Sequence, residues 1–125
     1  MKQLIQTTDA PQAIGCYSQA IKTGQTIYLS GQIPLDPVTM TLVEGGIKPQ
    51  ITRVFENLQA VAAACGANLD AIVKLTVYLT DIGHLPLVNE VMANYFSEPY
   101  PARTSFAVAA LPKNALVEID AILSV

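Results

Sequence analysis

The last ten residues, Leu116 to Val125, constrain the fold of this chain more than any other stretch. Val117, Ile119, Ala121, Leu123 and Val125 fall on one face, and Leu116, Glu118, Asp120, Ile122 and Ser124 on the other. A strict period of two is the pattern of a strand with one face committed to a core. Residues 72–80 repeat it. Val73, Leu75, Val77 and Leu79 alternate with Lys74, Thr76, Tyr78 and Thr80. Two strands of this kind require something apolar to cover them on one side. They leave a second side, with Lys74, Thr76, Tyr78, Glu118, Asp120 and Ile122, that is too polar for a monomer core and too apolar for plain solvent. A face of that type suits a subunit interface that also holds water.

The cover is legible between the strands. Ile47, Ile51, Val54, Phe55, Leu58, Val61, Ala62 and Cys65 recur at three- and four-residue steps, which predicts a helix beginning around Pro49 and capped near Gly66. Val88, Val91, Met92, Tyr95 and Phe96 predict a second helix, with Asp81 a candidate cap and Pro99 and Pro101 beyond its end. Thr26 to Ser30 reads as a strand, paired with Ala20-Ile21-Lys22 through a Gly24-Gln25 turn. A loop follows, from Gly31 to Gly46. Thr104 to Val108 reads as another strand, and Pro112-Lys113-Asn114 as a turn. The order is strands, helix, strand, helix, strands: an α+β domain with two helices on one face of a mixed sheet. One domain over residues 1–125 is expected, since 125 residues leave no room for a second folding unit.

Composition narrows the function classes. Charged residues are 14% of the chain and hydrophobic residues 51%, against about 25% charged in an average soluble domain. So little charge on so short a chain points to surface hidden against further copies of itself. The other reading is a monomer whose outside is Thr, Gln and Asn. The formal net charge is −3 with seven Lys and Arg in all and no basic run, a poor footprint for nucleic acid. Cys16 and Cys65 stand far apart without a partner pattern, and His84 is the single histidine. Neither a disulfide nor a metal centre is expected. No stretch reaches the roughly 20 apolar residues of a membrane span. Met1 to Ala10 shows no export signal, so a cytoplasmic protein is expected.

Few side chains offer chemistry. Arg53 and Arg103 are the only arginines. Arg53 falls off its helix's apolar stripe, and surface solvation accounts for it. Arg103 opens a strand after Pro101-Ala102, and a guanidinium is the natural bidentate partner of a carboxylate. A structural ion pair and a ligand-binding role both stand for it. Glu118, set in an apolar strand, is either solvent-facing or placed to hold a water and take a proton. Tyr17 offers an aromatic hydroxyl in a Gly15-Cys16-Tyr17-Ser18 loop, with plain packing as its alternative. His84 reads as a surface residue. No Ser-His-Asp arrangement, P-loop or dinucleotide fingerprint is present.

Five blocks carry a resemblance. They are Ala13-Ile14-Gly15-Cys16-Tyr17-Ser18-Gln19-Ala20, Ser30-Gly31-Gln32-Ile33-Pro34, Tyr100-Pro101-Ala102-Arg103-Thr104-Ser105, Ala110-Leu111-Pro112-Lys113 and Val117-Glu118-Ile119-Asp120-Ala121. In this order and spacing the chain resembles the RidA/YjgF family over nearly its whole length. The resemblance implies a chorismate-mutase-like fold of six strands and two helices, assembled as a homotrimer around a sheet barrel, with sites between subunits. It implies 2-iminobutanoate/2-iminopropanoate deaminase activity, which removes reactive imines before they damage PLP enzymes. By the same resemblance Arg103 binds the substrate carboxylate and Glu118 positions the attacking water. Tyr17, Gly31 and Asn89 line the cleft, and the Ser105 amide contacts the ligand. No cofactor or metal is implied, since an imine carbon is already electrophilic. Many members have Pro where Cys16 stands and Cys where Ser105 stands. A non-catalytic 2-oxo acid-binding protein is the alternative; it would keep Arg103 without needing Glu118 as a base. Nucleic-acid cleavage, also attached to the family, fits the acidic composition poorly.

Overall fold

A computed structural model describes residues 1–125. The sheet has six strands in the order β1-β2-β3-β6-β4-β5. They are β1 (Gln3–Ile5), β2 (Ala20–Thr23), β3 (Thr26–Gln32), β4 (Ile72–Leu79), β5 (Ala102–Ala107) and β6 (Val117–Ser124), with helices α1 (Ile47–Ala64) and α2 (Leu85–Tyr95). Neighbours are antiparallel except β4 and β5, which are parallel. The α+β class, the mixed sheet and the two helices match the expectation from pattern, and the count of six strands matches what the resemblance implies.

Both helices lie on one face and seal the core there. Ile51, Val54, Phe55, Leu58 and Val61 of α1 and Val88 of α2 are fully buried, as are Leu75, Val77 and Leu79 of β4 and Val117, Ile119 and Leu123 of β6. Phe55 packs edge-on against Phe96 at 5.6 Å, which joins the end of α2 to the middle of α1. Helix α1 stops where the pattern places its end. Gly66 takes φ +76, and the amides of Gly66 and Ala67 turn back onto Ala63 O and Ala62 O. A positive φ strains any residue with a Cβ, so glycine is the residue for that position.

The other face of the sheet has no cover within the chain. Tyr28, Val73 and Phe106 are each 42–50% exposed there. Tyr78 donates to Asp120 Oδ2 at 2.9 Å, and its ring meets Phe106 edge-on at 5.1 Å. Lys74 Nζ donates to Thr104 Oγ1 at 2.7 Å. The face is the mixture of hydrophobic and hydrogen-bonded groups that the alternation implies.

Four details depart from the pattern. Val73 is not in the core: the β4–β6 register shifts between Ile72 and Lys74, so Ile72 takes the buried place and Val73 is the extra, exposed residue of a bulge. Val125 lies past the end of β6 and is 43% exposed. Strand β1, three residues long, was too short and too polar to show a period. Asp81 caps a single 3₁₀ turn, Ile82–His84, through Gly83 N, and α2 follows from that turn.

Candidate functional site

The residues singled out in the sequence fall into two groups, and the sheet divides them. Glu118 on β6 pairs with Tyr78, whose neighbours Val77 and Leu79 point into the helix layer. Paired residues share a face, so Glu118 stands on the uncovered face. Arg103 and Ser105 on β5 pair with Leu75 and Val77 of β4, both fully buried beneath the helices. Arg103 and Ser105 therefore stand on the helix side, at the sheet edge. Within one chain Arg103 and Glu118 cannot meet.

Glu118 opens into a cleft of ≈ 540 Å³ that it shares with Tyr17, Gly31, Ile33 and Lys113. Gly31 owes its identity to this approach. A Cβ there would collide with the Glu118 carboxylate and stand 3.0 Å from its Cδ. The strand yields the room by a bulge, since the β3–β6 register shifts between Leu29 and Gln32. The disturbed backbone is repaired from the Tyr17 loop: Ser30 N donates to Gln19 O at 2.9 Å, and Ser30 Oγ to Ser18 O at 2.6 Å. Burial, and after it the charge of Asp120, hold the Glu118 carboxyl above the ordinary carboxylate range. No Lys or Arg pairs with it. A carboxylate raised in this way is a better proton acceptor than a solvated one. Tyr17 is 53% exposed, and its hydroxyl accepts from Ile14 N at 3.2 Å, which sets the ring across its own loop.

Arg103 lines a second cleft, of ≈ 460 Å³, with Asn89, Met92 and Tyr100. Its Nη1 donates to Asn89 Oδ1 at 2.6 Å and lies 3.4 Å from Met92 Sδ. Helix α2 thus orients one edge of the guanidinium, and no carboxylate of the chain pairs with it. The structural ion pair that the sequence left open is not made, so the remaining donors face the cleft free to take an anion. Asn89 reaches the site through Arg103.

The Ser105 hydroxyl is buried without a partner on the helix side. Its amide lies elsewhere. Val108 N donates to Leu79 O, so by strand alternation the Ser105 amide points away from β4, to the free edge beside Arg103. An unsatisfied buried hydroxyl costs stability. Ser105→Ala is therefore expected to keep most of any activity and to melt no lower than the parent in a calorimetric scan. A hundredfold loss of activity in folded protein would show that the hydroxyl itself takes part.

Comparison with known proteins places the chain in a family. The family model described as Endoribonuclease L-PSP matches residues 7–125. The crystal structure of RidA from an Antarctic Psychrobacter superposes with a TM-score of 0.95, at 51% identity over 98% of this chain and 99% of that one. The chain belongs to the RidA/YjgF family. Among curated RidA-family relatives, a 2-iminobutanoate/2-iminopropanoate deaminase from Dermatophagoides farinae is 43% identical, covering 98% of this chain and 95% of its own. A RutC family protein from Pyrococcus horikoshii is 48% identical, covering 98% and 97%. RidA relatives thus carry more than one functional name, and the activity of this chain has to be argued from its own side chains.

Reading the sequence for reactive groups overlooked the amides that shape the clefts. Gln19, 4% exposed, donates to Pro11 O at 2.7 Å and to Thr7 O at 3.0 Å, and accepts from Thr7 N at 2.7 Å. It ties residues 7–11 down, and Pro11 at the end of that stretch lines the Glu118 cleft together with Gln19 itself. Gln50, 6% exposed, accepts from Leu116 N at 2.9 Å, just before β6. Asn57 is fully buried within α1. A polar residue on the apolar stripe of a helix was the available signal, since a buried amide must find partners. Arg53 is also not a plain surface residue. Its side chain is 21% exposed and its Nε donates to Asn57 Oδ1 at 3.0 Å. His84 is partly buried, with Nδ1 enclosed and unpartnered.

Proposed function

We propose that this protein hydrolyses 2-imino acids such as 2-iminobutanoate and 2-iminopropanoate to 2-oxo acids and ammonia. It would do so in the cytoplasm as a chorismate-mutase-like homotrimer, with each site assembled from two subunits. One subunit supplies Arg103, Asn89 and the Ser105 amide; its neighbour supplies Glu118, Gly31 and Tyr17. The observation that carries the reading is the split itself. A guanidinium with no carboxylate partner and a raised, unpaired carboxylate lie on opposite sides of one sheet. Each is half of a site, and the uncovered sheet face supplies a surface on which copies can associate.

The chemistry follows from the side chains. Arg103 takes the substrate carboxylate bidentately and fixes the position of C2. Glu118 holds a water by hydrogen bond and accepts its proton as the oxygen adds to the C=N carbon. The imine nitrogen takes up the proton that Glu118 accepted and becomes an amine. As the carbinolamine collapses, its hydroxyl proton passes through Glu118 to the departing nitrogen, so that ammonia leaves and the 2-oxo acid remains. Every step is polar, and the imine carbon is electrophilic without further activation.

RNA as a substrate fits less well. A chain with seven cations and a net charge of −3 offers little to a phosphate backbone, and the uncovered face carries Glu118 and Asp120. A coupled assay tests the proposal. A PLP-dependent dehydratase generates the imine, semicarbazide traps what escapes, and the protein is expected to outcompete the trap. If trapping is unchanged while 2-oxobutanoate still binds, the chain is a carboxylate-binding protein and the hydrolytic reading fails.

A further inference from the structure

Ile33 and Leu35 line the Glu118 cleft together with Tyr17 and Gly31, and the Ile33–Leu35 segment is loop, not strand. Its shape is held from outside the cleft. Asn57 Nδ2 donates to Ile33 O at 3.3 Å and to Leu35 O at 3.1 Å. Asn57 itself is fully buried, so its amide has no water to fall back on. An amide that could flip would present oxygen to two carbonyl oxygens, which repels. Arg53 removes that option, because its Nε donates to Asn57 Oδ1 at 3.0 Å, one helical turn away. A residue on the outer part of α1 thereby fixes which end of Asn57 faces the loop.

We propose that Asn57, held by Arg53, is a positioning residue for substrate binding at the Glu118 cleft. The pair keeps the Ile33–Leu35 carbonyls drawn back onto α1, so that Ile33 and Leu35 stand as a fixed apolar wall beside the water held by Glu118. This inference rests on the reading of that cleft as the hydrolytic site. Loss of the Arg53 hydrogen bond should loosen the wall more than it weakens the chemistry. The effect belongs to KM, because the wall meets the alkyl part of the substrate while Glu118 is carried by β6.

The test compares Arg53→Met with Arg53→Gln in the intact oligomer. Both lose the charge, and only Gln keeps a donor that can reach Asn57. In Arg53→Met, KM for the imine and Kd for 2-oxobutanoate are expected to rise about fivefold, the worth of one hydrogen bond of about 1 kcal/mol. The kcat value should stay near the parent's, and hydrogen exchange at the Leu35 amide should quicken. Arg53→Gln should recover most of each effect. Equal impairment in both variants would overturn the proposal in favour of charge. So would a lowered melting temperature with unchanged KM and exchange. Wild-type protein offers an independent check: the Asn57 side-chain amide should show slow exchange in ¹⁵N spectra, and fast exchange there would also overturn it. If wild-type protein neither hydrolyses the imine nor binds 2-oxobutanoate, the proposed function falls, while the exchange data still decide whether Arg53 and Asn57 hold the wall.

Discussion

Arg103→Ala is expected to abolish both turnover and binding of 2-oxobutanoate. The guanidinium is oriented from one side by Asn89 Oδ1 and Met92 Sδ and paired with no carboxylate. Its free edge is the only arginine surface that the Arg103 cleft offers a carboxylate. A charge-assisted hydrogen bond contributes about 1.5–3 kcal/mol, which is about 10- to 150-fold in affinity, and a bidentate pair contributes more. Arg103→Lys should recover little. An ammonium on a flexible stem does not present a planar fork, and it would also have to keep the Asn89 contact. Calorimetric titration with 2-oxobutanoate and the trapped-imine rate measure the two effects separately. Turnover by Arg103→Ala at the wild-type rate would show that the assigned site is wrong.

Glu118→Gln should fail differently. Binding of 2-oxobutanoate survives, because the carboxylate grip lies with Arg103, while kcat falls by about 10²–10⁴-fold, the usual contribution of a positioned acid or base. The same substitution carries a stability signature with a defined sign. The folded chain holds the Glu118 proton above the ordinary carboxylate range, through burial and then Asp120. Over the window between the ordinary value and the folded value, the folded state binds more protons than the unfolded state. Stability therefore falls as pH rises through that window and stays lower above it. Glu118→Gln has no proton to release there. Its melting temperature should match the parent's below the ordinary carboxylate range and exceed it at neutral pH. A lower melting temperature at neutral pH would mean that the ionised carboxylate is a stabilising partner in the assembly, which is not the role of a base held ready for a proton.

The fold was legible where side chains answer to burial alone. The period-two runs of β4 and β6 and the three-and-four stripe of α1 each name the face they bury, and the helices do cover that face. Legibility ended where one backbone hydrogen bond was displaced. Val73 is apolar and in register by sequence, yet the bulge at Ile72 turns it outward, and no residue type in the run announces that shift. The site divides in the same way. Glu118 stood out because charge in an apolar strand needs a reason, and Arg103 because a guanidinium held at the start of a strand suits a carboxylate. Their placement on opposite faces followed only from the pairing of β5 to β4 and of β4 to β6, a long-range register that local pattern does not carry. Gln19, Gln50 and Asn57 were overlooked for another reason. An amide reads as solvent-facing until its partners are known, and their backbone partners lie 8–66 residues away.

The central claim is that one subunit's Arg103 works with another subunit's Glu118, and mixing two inactive proteins tests it most directly. Arg103→Ala and Glu118→Gln subunits, each inactive alone, are unfolded together, refolded as mixed oligomers and assayed for imine hydrolysis. A site built across the interface should regain activity wherever an intact Arg103 from the one variant faces an intact Glu118 from the other. Mixed oligomers that remain as inactive as the two parents would contradict the account, since every site would then draw both residues from a single chain.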